Sequence, residues 1–399
     1  MKNLASKLLA AALLLVGSAA FFSCNNDDDV KIKSYPMEVK FALNDGLAWN
    51  NITDAKLIVS NDKGLHDTIS IKGDTTITFV QGQYNFVVTG KVKDEAAAYV
   101  QGTAGANLFQ NATVNVALSK VVRSSLIFKA IYTTGGKQGY MKDGYFEIVN
   151  NSDEVQYLDG LILSAPAGKQ QNKNAWQANG FEDLYACGQG QVLAFPGSGH
   201  DYPLQPGQSV LIANDGANHK DLAGAGNHCP DLSKADWEVY LSYVNGEIDY
   251  PAKNLDVIFV NNKYMKAFGL GFFGRAYVLA RLPQGMTPEA FAADHSNIRK
   301  EPGNAAATME YLVIPSKYVL DAVDIWDAQT TNHYPTFLAK DDAEGVLASK
   351  AWEGKCVRRK VTKVVNGRAY YQDTNNSAND FLNNQELKPG VTPAVADNQ

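Results

Sequence analysis

Tyr145-Phe146-Glu147-Ile148-Val149, then Asn150-Asn151-Ser152-Asp153, then Leu158-Asp159-Gly160-Leu161-Ile162-Leu163 is the stretch that decides the fold. Aromatic and β-branched residues suit the first run to a pleated, half-buried strand. The Asn-Asn-Ser-Asp run is a turn, because such side chains tolerate left-handed backbone or bond to their own chain. The Leu-rich run behind it is the next strand. Strand, polar turn and strand in such close succession point to an all-β-dominated protein.

Working outward, Ser125-Leu126-Ile127-Phe128-Lys129-Ala130-Ile131-Tyr132 is a strong strand upstream. Downstream, Pro203-Leu204-Gln205-Pro206-Gly207-Gln208 turns the chain into Ser209-Val210-Leu211-Ile212-Ala213. Residues 166–200 are rich in Gln, Asn and Gly and read as a long insertion, the kind of loop that often carries function. Nearer the start, Met37 to Leu43 alternates apolar and polar residues with the period of a half-buried strand. Lys56 to Ser60 is a second strand. Thr68 to Ile71 and Thr76 to Phe79 flank Lys72-Gly73-Asp74, a hairpin signal. Tyr84 to Val92 and Thr113 to Leu118 complete a set spaced as in a small antiparallel sandwich. Helices are expected only over 232–238, 287–294 and 344–352. The chain thus divides into a spacer sandwich over 35–122, a second sandwich with insertions over 123–385 and a flexible tail over 386–399.

The 399 residues leave room for two or three domains. A net charge of −6 gives no basic footprint for nucleic acid. Lys2 and Lys7 precede an apolar run from Leu8 to Ala20, too short to span a bilayer but suited to a signal peptide over 1–23. Phe21-Phe22-Ser23-Cys24 follows where cleavage is expected, and it resembles a lipobox. Cys24 would then carry the lipid, and several acyl chains give stable anchoring. Asn25-Asn26-Asp27-Asp28-Asp29 opens a linker over 24–34. Asp27, Asp28 and Asp29 resemble the surface-export signal of Bacteroidetes lipoproteins, which implies the outer face of the outer membrane.

Two further resemblances bear on the globular part. Gly82-Gln83-Tyr84-Asn85-Phe86 resembles transthyretin-like or carboxypeptidase-regulatory-like modules. The strand-turn-strand unit at 145–161, with Leu204-Gln205-Pro206-Gly207 and Leu211-Ile212-Ala213-Asn214-Asp215, resembles the lamin-tail domain, which implies an Ig-like sandwich. Gly354-Lys355-Cys356-Val357-Arg358-Arg359-Lys360 and the run from Gln372 to Phe381 resemble an uncharacterised Bacteroidetes lipoprotein family. Its members tend to be encoded beside TonB-dependent receptors, which implies a location and a neighbour, not a reaction.

Few residues point to chemistry. Asp373, Asn375, Asn376 and Asp380 lie in an oxygen-rich run. Calcium takes six to eight oxygens, but the EF-hand spacing is missing. The expectation is a structural loop of Asx turns, with calcium as the alternative. Alternation over 357–361 turns Arg359 inward, where a guanidinium needs a carboxylate partner; Asp373 and Asp380 are nearest. His219, His228 and Cys229 near Asp215 match no closed metal motif, so a metal stays unknown. Gly197-Ser198-Gly199-His200 lacks the frame of a nucleophile elbow. Trp176, in a polar stretch, is the aromatic expected to face a ligand. Cys187 and Cys229 are the pair to examine for a disulfide, with Cys356 in a strand.

The preferred reading is a non-enzymatic surface lipoprotein that binds a small ligand or glycan, or attends a TonB-dependent receptor, in nutrient uptake. A hydrolase acting on glycans or peptides, and a structural adhesin, are its rivals. Replacing Cys24 by Ala should move the protein out of the membrane fraction. Retention of Cys24→Ala in membranes after high-salt washing would contradict the anchor.

Overall fold

The computed structural model describes residues 33–397, apart from 62, 95–97, 123, 169–171, 182 and 223. Cys24 and Asp27 to Asp29 lie outside these residues. The protein is mostly β, with three short helices at Ala175–Ala178, Pro288–Ala293 and Ser377–Asp380.

Seven strands form the N-terminal sheet: β1 (Ser34–Leu43), β2 (Ile52–Asn61), β3 (His66–Ser70), β4 (Thr75–Val80), β5 (Gly82–Val92), β6 (Ala98–Leu108) and β7 (Ala112–Val122). Their order is β3-β2-β5-β6-β7-β1-β4. β7 belongs to both halves. Its end, Ser119–Val122, pairs antiparallel with β6, and its start, Ala112–Leu118, runs parallel to β1. The sheet folds over on that strand, so Met37 and Val39 of β1 share one core with Leu57, Phe86, Val88 and Val116. Lys72-Gly73-Asp74 is therefore not a hairpin turn. β3 pairs with β2 and β4 with β1. The turn crosses between the halves because Ile71 is drawn into the core and Asp74 Oδ1 accepts the Phe41 N–H at 2.9 Å.

The larger part is a sandwich of two sheets. One runs in the order Lys253–Asn254, Trp237–Glu238, Ser209–Ala213, β9 (Tyr145–Asn150), β8 (Leu126–Tyr132), Lys355–Arg359, Phe381–Glu386. The other has eight strands, with Leu184–Ala194, Leu161–Pro166, Ala276–Arg281 and Val319–Trp326 at its centre. Leu126, Phe128, Phe146 and Ile148 of the first sheet meet Leu161, Leu163, Leu193, Leu279 and Val323 of the second in one core. Residues 166–200 are not a loop insertion. Leu184–Ala194 pairs with three strands. Its Gly188 and Gly190 hold φ of 103° and 116°, and Phe259 and Met265 pack where a Cβ would stand. The Gly and Gln content that reads as loop is what allows this close approach. Of the expected helices only 288–293 forms. Trp237–Glu238 and Val346–Leu347 are short strands, the second paired with Ile325–Trp326.

Arg359 ties the sheets together. Its side chain is 1% exposed. Nη2 donates to Asp321 Oδ2 at 2.6 Å, Nη1 to Asp373 Oδ1 at 3.1 Å, and Asp380 Oδ2 lies 3.5 Å from Nη1. Nε donates to Phe128 O at 2.7 Å, and Phe128 N–H donates to Asp321 at 2.7 Å. Asp321 comes from the opposite sheet. The loop 373–380 is thus a built structural element. Thr374 N–H and Oγ1 donate to Asp380, Asn376 caps Ser377–Asp380, and Ser377 N–H and Oγ donate to Asp342. The cation its carboxylates share is a guanidinium. The same loop holds the N-terminal sandwich: Asn375 O accepts Gln101 Nε2–H at 2.9 Å, and Ile58 and Val87 pack on Ala343.

Removing one member of a buried, hydrogen-bonded ion group costs about 3–5 kcal/mol. Arg359→Ala should therefore lower unfolding stability by that order in denaturant titration, and Arg359→Lys should not restore it, since an ammonium has no fork. An Arg359→Ala protein as stable as the parent would rule the arrangement out as a structural tie.

Candidate functional site

The outer face of the sheet that holds β8 and β9 is covered at both ends and open between. At one end Ile127 and Val149 pack under Val361, Ala369 and Tyr371. At the other Ala130, Tyr132, Tyr145 and Leu211 pack under Leu232. Between them a cavity of about 470 Å³ is lined by Ala130, Tyr145, Cys356 and Tyr371, with Lys129, Glu147 and Arg358 among its several charged groups. Lys129 reaches this face by strand alternation after inward Phe128, and the bulge of β8 adds Ala130 to the same face. Phe128 pairs with Ile148 and Ala130 with Glu147, leaving Lys129 as the extra residue. Its ammonium pairs with Glu147 and donates to Ser209 Oγ at 3.2 Å, and both charged side chains are almost fully buried. Burial holds the Glu147 carboxyl above its ordinary range against the pull of Lys129.

The roof is the chain after Glu386, which the sequence reading leaves as a flexible tail. It lies along the sheet instead. Gly390 N–H donates to Glu147 Oε1 at 3.2 Å. Asp397 receives a forked pair from Arg358 at 2.6 and 2.7 Å and the Val361 N–H at 2.8 Å, and its own N–H donates to Val361 O. Arg358 holds the Asp397 carboxyl below the usual range. Val391 and Val395 lie at the rim with their side chains largely exposed. Apolar walls with a few fixed charges are what a small-molecule site requires.

A second group of ionisable residues sits at the loop end of the same sheet. Lys142 Nζ bridges Glu247 at 2.7 Å and Asp215 at 3.2 Å. His219 Nε2 faces Asp215 O at 3.1 Å, so it donates there, and Nδ1 accepts the Tyr140 hydroxyl at 2.6 Å. Burial keeps this imidazole neutral. With both nitrogens used, His219 has no lone pair left for a metal. Among the described residues no three of His, Cys, Asp and Glu gather as a metal-holding group. Burial also pushes Asp215 up to about 6, and Glu238, which accepts the Gly216 and Tyr250 N–H groups, up to about 7.

Other expected site residues fall elsewhere. Trp176 does not face solvent. It is 3% exposed and packs on Leu184, Ala186 and Val313, with Phe181 and Tyr311 edge-on. Its polar sequence neighbours cap a short helix that turns the ring inward. Cys187, Cys229 and Cys356 are free and buried, so Cys187 and Cys229 form no disulfide. Burial pushes their thiols up to about 12, 11 and 11, which leaves them protonated and unreactive. Lys129 and Glu147 escaped the sequence reading. Their signal was there: one cation and one anion, each interrupting an otherwise apolar strand.

Residues 205–387 match the model of the family described as "Protein of unknown function (DUF4876)". A crystal structure of a DUF4876 family protein from Bacteroides thetaiotaomicron VPI-5482 is similar at 25% identity and a TM-score of 0.58. The match covers 91% of this chain and 99% of that one. A candidate cell adhesion protein from Bacteroides eggerthii DSM 20697 is similar at 11% identity over 64% of this chain and 78% of that one; its TM-score of 0.16 carries no argument. No curated protein matches the sequence.

Asp215, Glu238 and Asp324, the last also raised to about 6 by burial, give the fold a pH dependence. A carboxyl whose folded pKa exceeds its unfolded value of about 4 binds more protons folded than unfolded. The stability it brings is complete below about pH 4 and is lost as pH climbs through 6 to 7. The melting temperature should therefore be higher at pH 5 than at pH 8, and Asp215→Asn should narrow the difference. A melting temperature that rises towards pH 8 would contradict this.

Proposed function

We propose that the protein is a non-enzymatic lipoprotein of the outer-membrane surface that binds a small ligand and acts beside a TonB-dependent receptor in nutrient uptake. The observation that carries the binding role is the roofed cavity over Lys129 and Glu147. Its volume suits a short peptide or a one- or two-sugar glycan. Its charges are fixed in place by the β8 bulge and by Ser209, so a ligand meets a pre-set pair of donor and acceptor and little ordering cost. Anchoring by Cys24 and export by Asp27 to Asp29 supply the location.

The test is calorimetric titration of purified protein with a panel of short peptides and mono- and disaccharides, together with Ala130→Leu. Ala130 lines the cavity, so the isobutyl side chain of leucine projects into it and obstructs it. A panel member should bind the parent and lose at least tenfold in affinity to Ala130→Leu, whose melting temperature reports that it folds. Equal binding by both proteins places the ligand elsewhere. Turnover of a panel member would favour the hydrolase. Pull-down of the native lipoprotein without a TonB-dependent receptor would remove the transporter from the reading.

A further inference from the structure

We infer that the pole at which the chain enters the N-terminal sandwich is a bilayer-contact surface, with Phe109 and Val80 as the side chains that enter lipid; this rests on the anchored reading of Cys24. Three chain turns meet at that pole. β1 begins there, with Ser34 beside Val80 at the end of β4, and Lys33 O accepts the Gln81 N–H at 2.8 Å. β5 begins there, with Gly82 beside Leu108 at the end of β6. β7 begins there too: Met37 lies beside Ala112 in parallel register, and continuing that register puts Phe109 level with Ser34.

Phe109 is 61% exposed and Val80 41%. Their neighbours at the pole include Lys33, Gln81, Gln110 and Asn111, and the turn after β2 joins them, since Asn61 pairs with Tyr84. From this tip β7 runs eleven residues, about 35 Å, and hands the chain to β8 in the larger sandwich. The ligand cavity therefore lies away from the pole. Ser34 follows Cys24 by ten residues, a covalent reach of at most about 35 Å. A lipid on Cys24 keeps this pole within that reach of the headgroups, nearer than the far end of the sandwich on average. Two apolar side chains bind a bilayer weakly from free solution. On a short tether the same contact is intramolecular, so a weak affinity suffices. Aromatic residues are also favoured at the membrane–water boundary.

The experiment uses the mature acylated chain in vesicles of phosphatidylethanolamine and phosphatidylglycerol, with the mass of the N-terminal peptide measured first. Nitroxides are placed at Phe109→Cys, Val80→Cys and Asn245→Cys, the last on an exposed loop of the larger sandwich; the native thiols are buried. Labels at 109 and 80 should collide at least threefold more with oxygen, relative to a water-soluble nickel chelate, than the label at 245. In the unsubstituted chain, amide exchange at 109–111 should slow at least threefold on vesicles. Equal accessibility at 109 and 245 together with unchanged exchange, in protein whose mass shows the acyl chains, overturns the contact and leaves the anchor standing. If the mass shows no acyl chains, the anchor fails. Residues 25–399 are then held by an N-terminal polyhistidine tag on nickel-chelating lipid, where slowed exchange at 109–111 supports the pole and unchanged exchange overturns it.

Discussion

The guanidinium of Arg359 is the interaction on which the rest of the architecture depends. It takes both backbone groups of the β8 bulge into one network, directly at Phe128 O and through Asp321 at Phe128 N–H. Asp321 belongs to the facing sheet, so one side chain fixes the separation and register of the two layers. Asp373 and Asp380 bring in the loop that then grips the N-terminal sandwich through Asn375. Three carboxylates around one guanidinium would be costly to bury if any lacked donors. The N–H groups of Phe128 and Thr374 serve Asp321 and Asp380, and Arg359 itself donates to Asp373, with the ring of Phe381 4.5 Å from the cation. Next to inward Phe128, alternation turns Lys129 outward, and the bulge brings Ala130 to the same outer face. Core tie and cavity floor are two faces of one backbone irregularity.

How much of this was legible follows from the range of each interaction. Strand alternation over 357–361 is local, and it turns Arg359 inward from sequence alone. Asp373 and Asp380 are near enough in sequence to be proposed as partners. Asp321 is not: its pairing depends on how two sheets face each other, which no local pattern encodes. The N-terminal turn at Gly73 misled for a related reason. Its residues specify a turn but not which strands flank it, and burial of Ile71 decided that. Residues 184–194 looked like loop because Gly and Gln are poor strand formers. Close packing by Phe259 and Met265 overrode that preference. For Trp176, polar neighbours in sequence do not make a polar setting, since four residues of helix suffice to point one ring at the core.

The site was the least legible part because nothing in it is a motif. Lys129 and Glu147 are eighteen residues apart on paired strands, and the roof comes from the end of the chain. A tail rich in small residues, Pro and Gly reads as unstructured. Here it is held at two points by partners far away in sequence: Glu147 for Gly390, and the Arg358 fork with Val361 for Asp397.

The two buried charge groups of the larger sandwich invite different explanations. Arg359 has no simple replacement, since its fork satisfies two backbone carbonyls as well as the acids. Lys129 and Glu147 make fewer obligatory bonds. A buried ion pair of this kind can often be exchanged for apolar residues of similar volume at no loss, or with a gain, in stability. Neighbouring positions on that face already show the alternative, since Ala130, Tyr145 and Tyr371 pack without charge. The fold therefore has little need of the pair. What the pair does provide is a donor and an acceptor fixed in orientation beside the apolar wall of Ala130 and Tyr145, beneath a segment held at its two ends. That is the arrangement expected where a ligand, rather than the core, sets the residue choice.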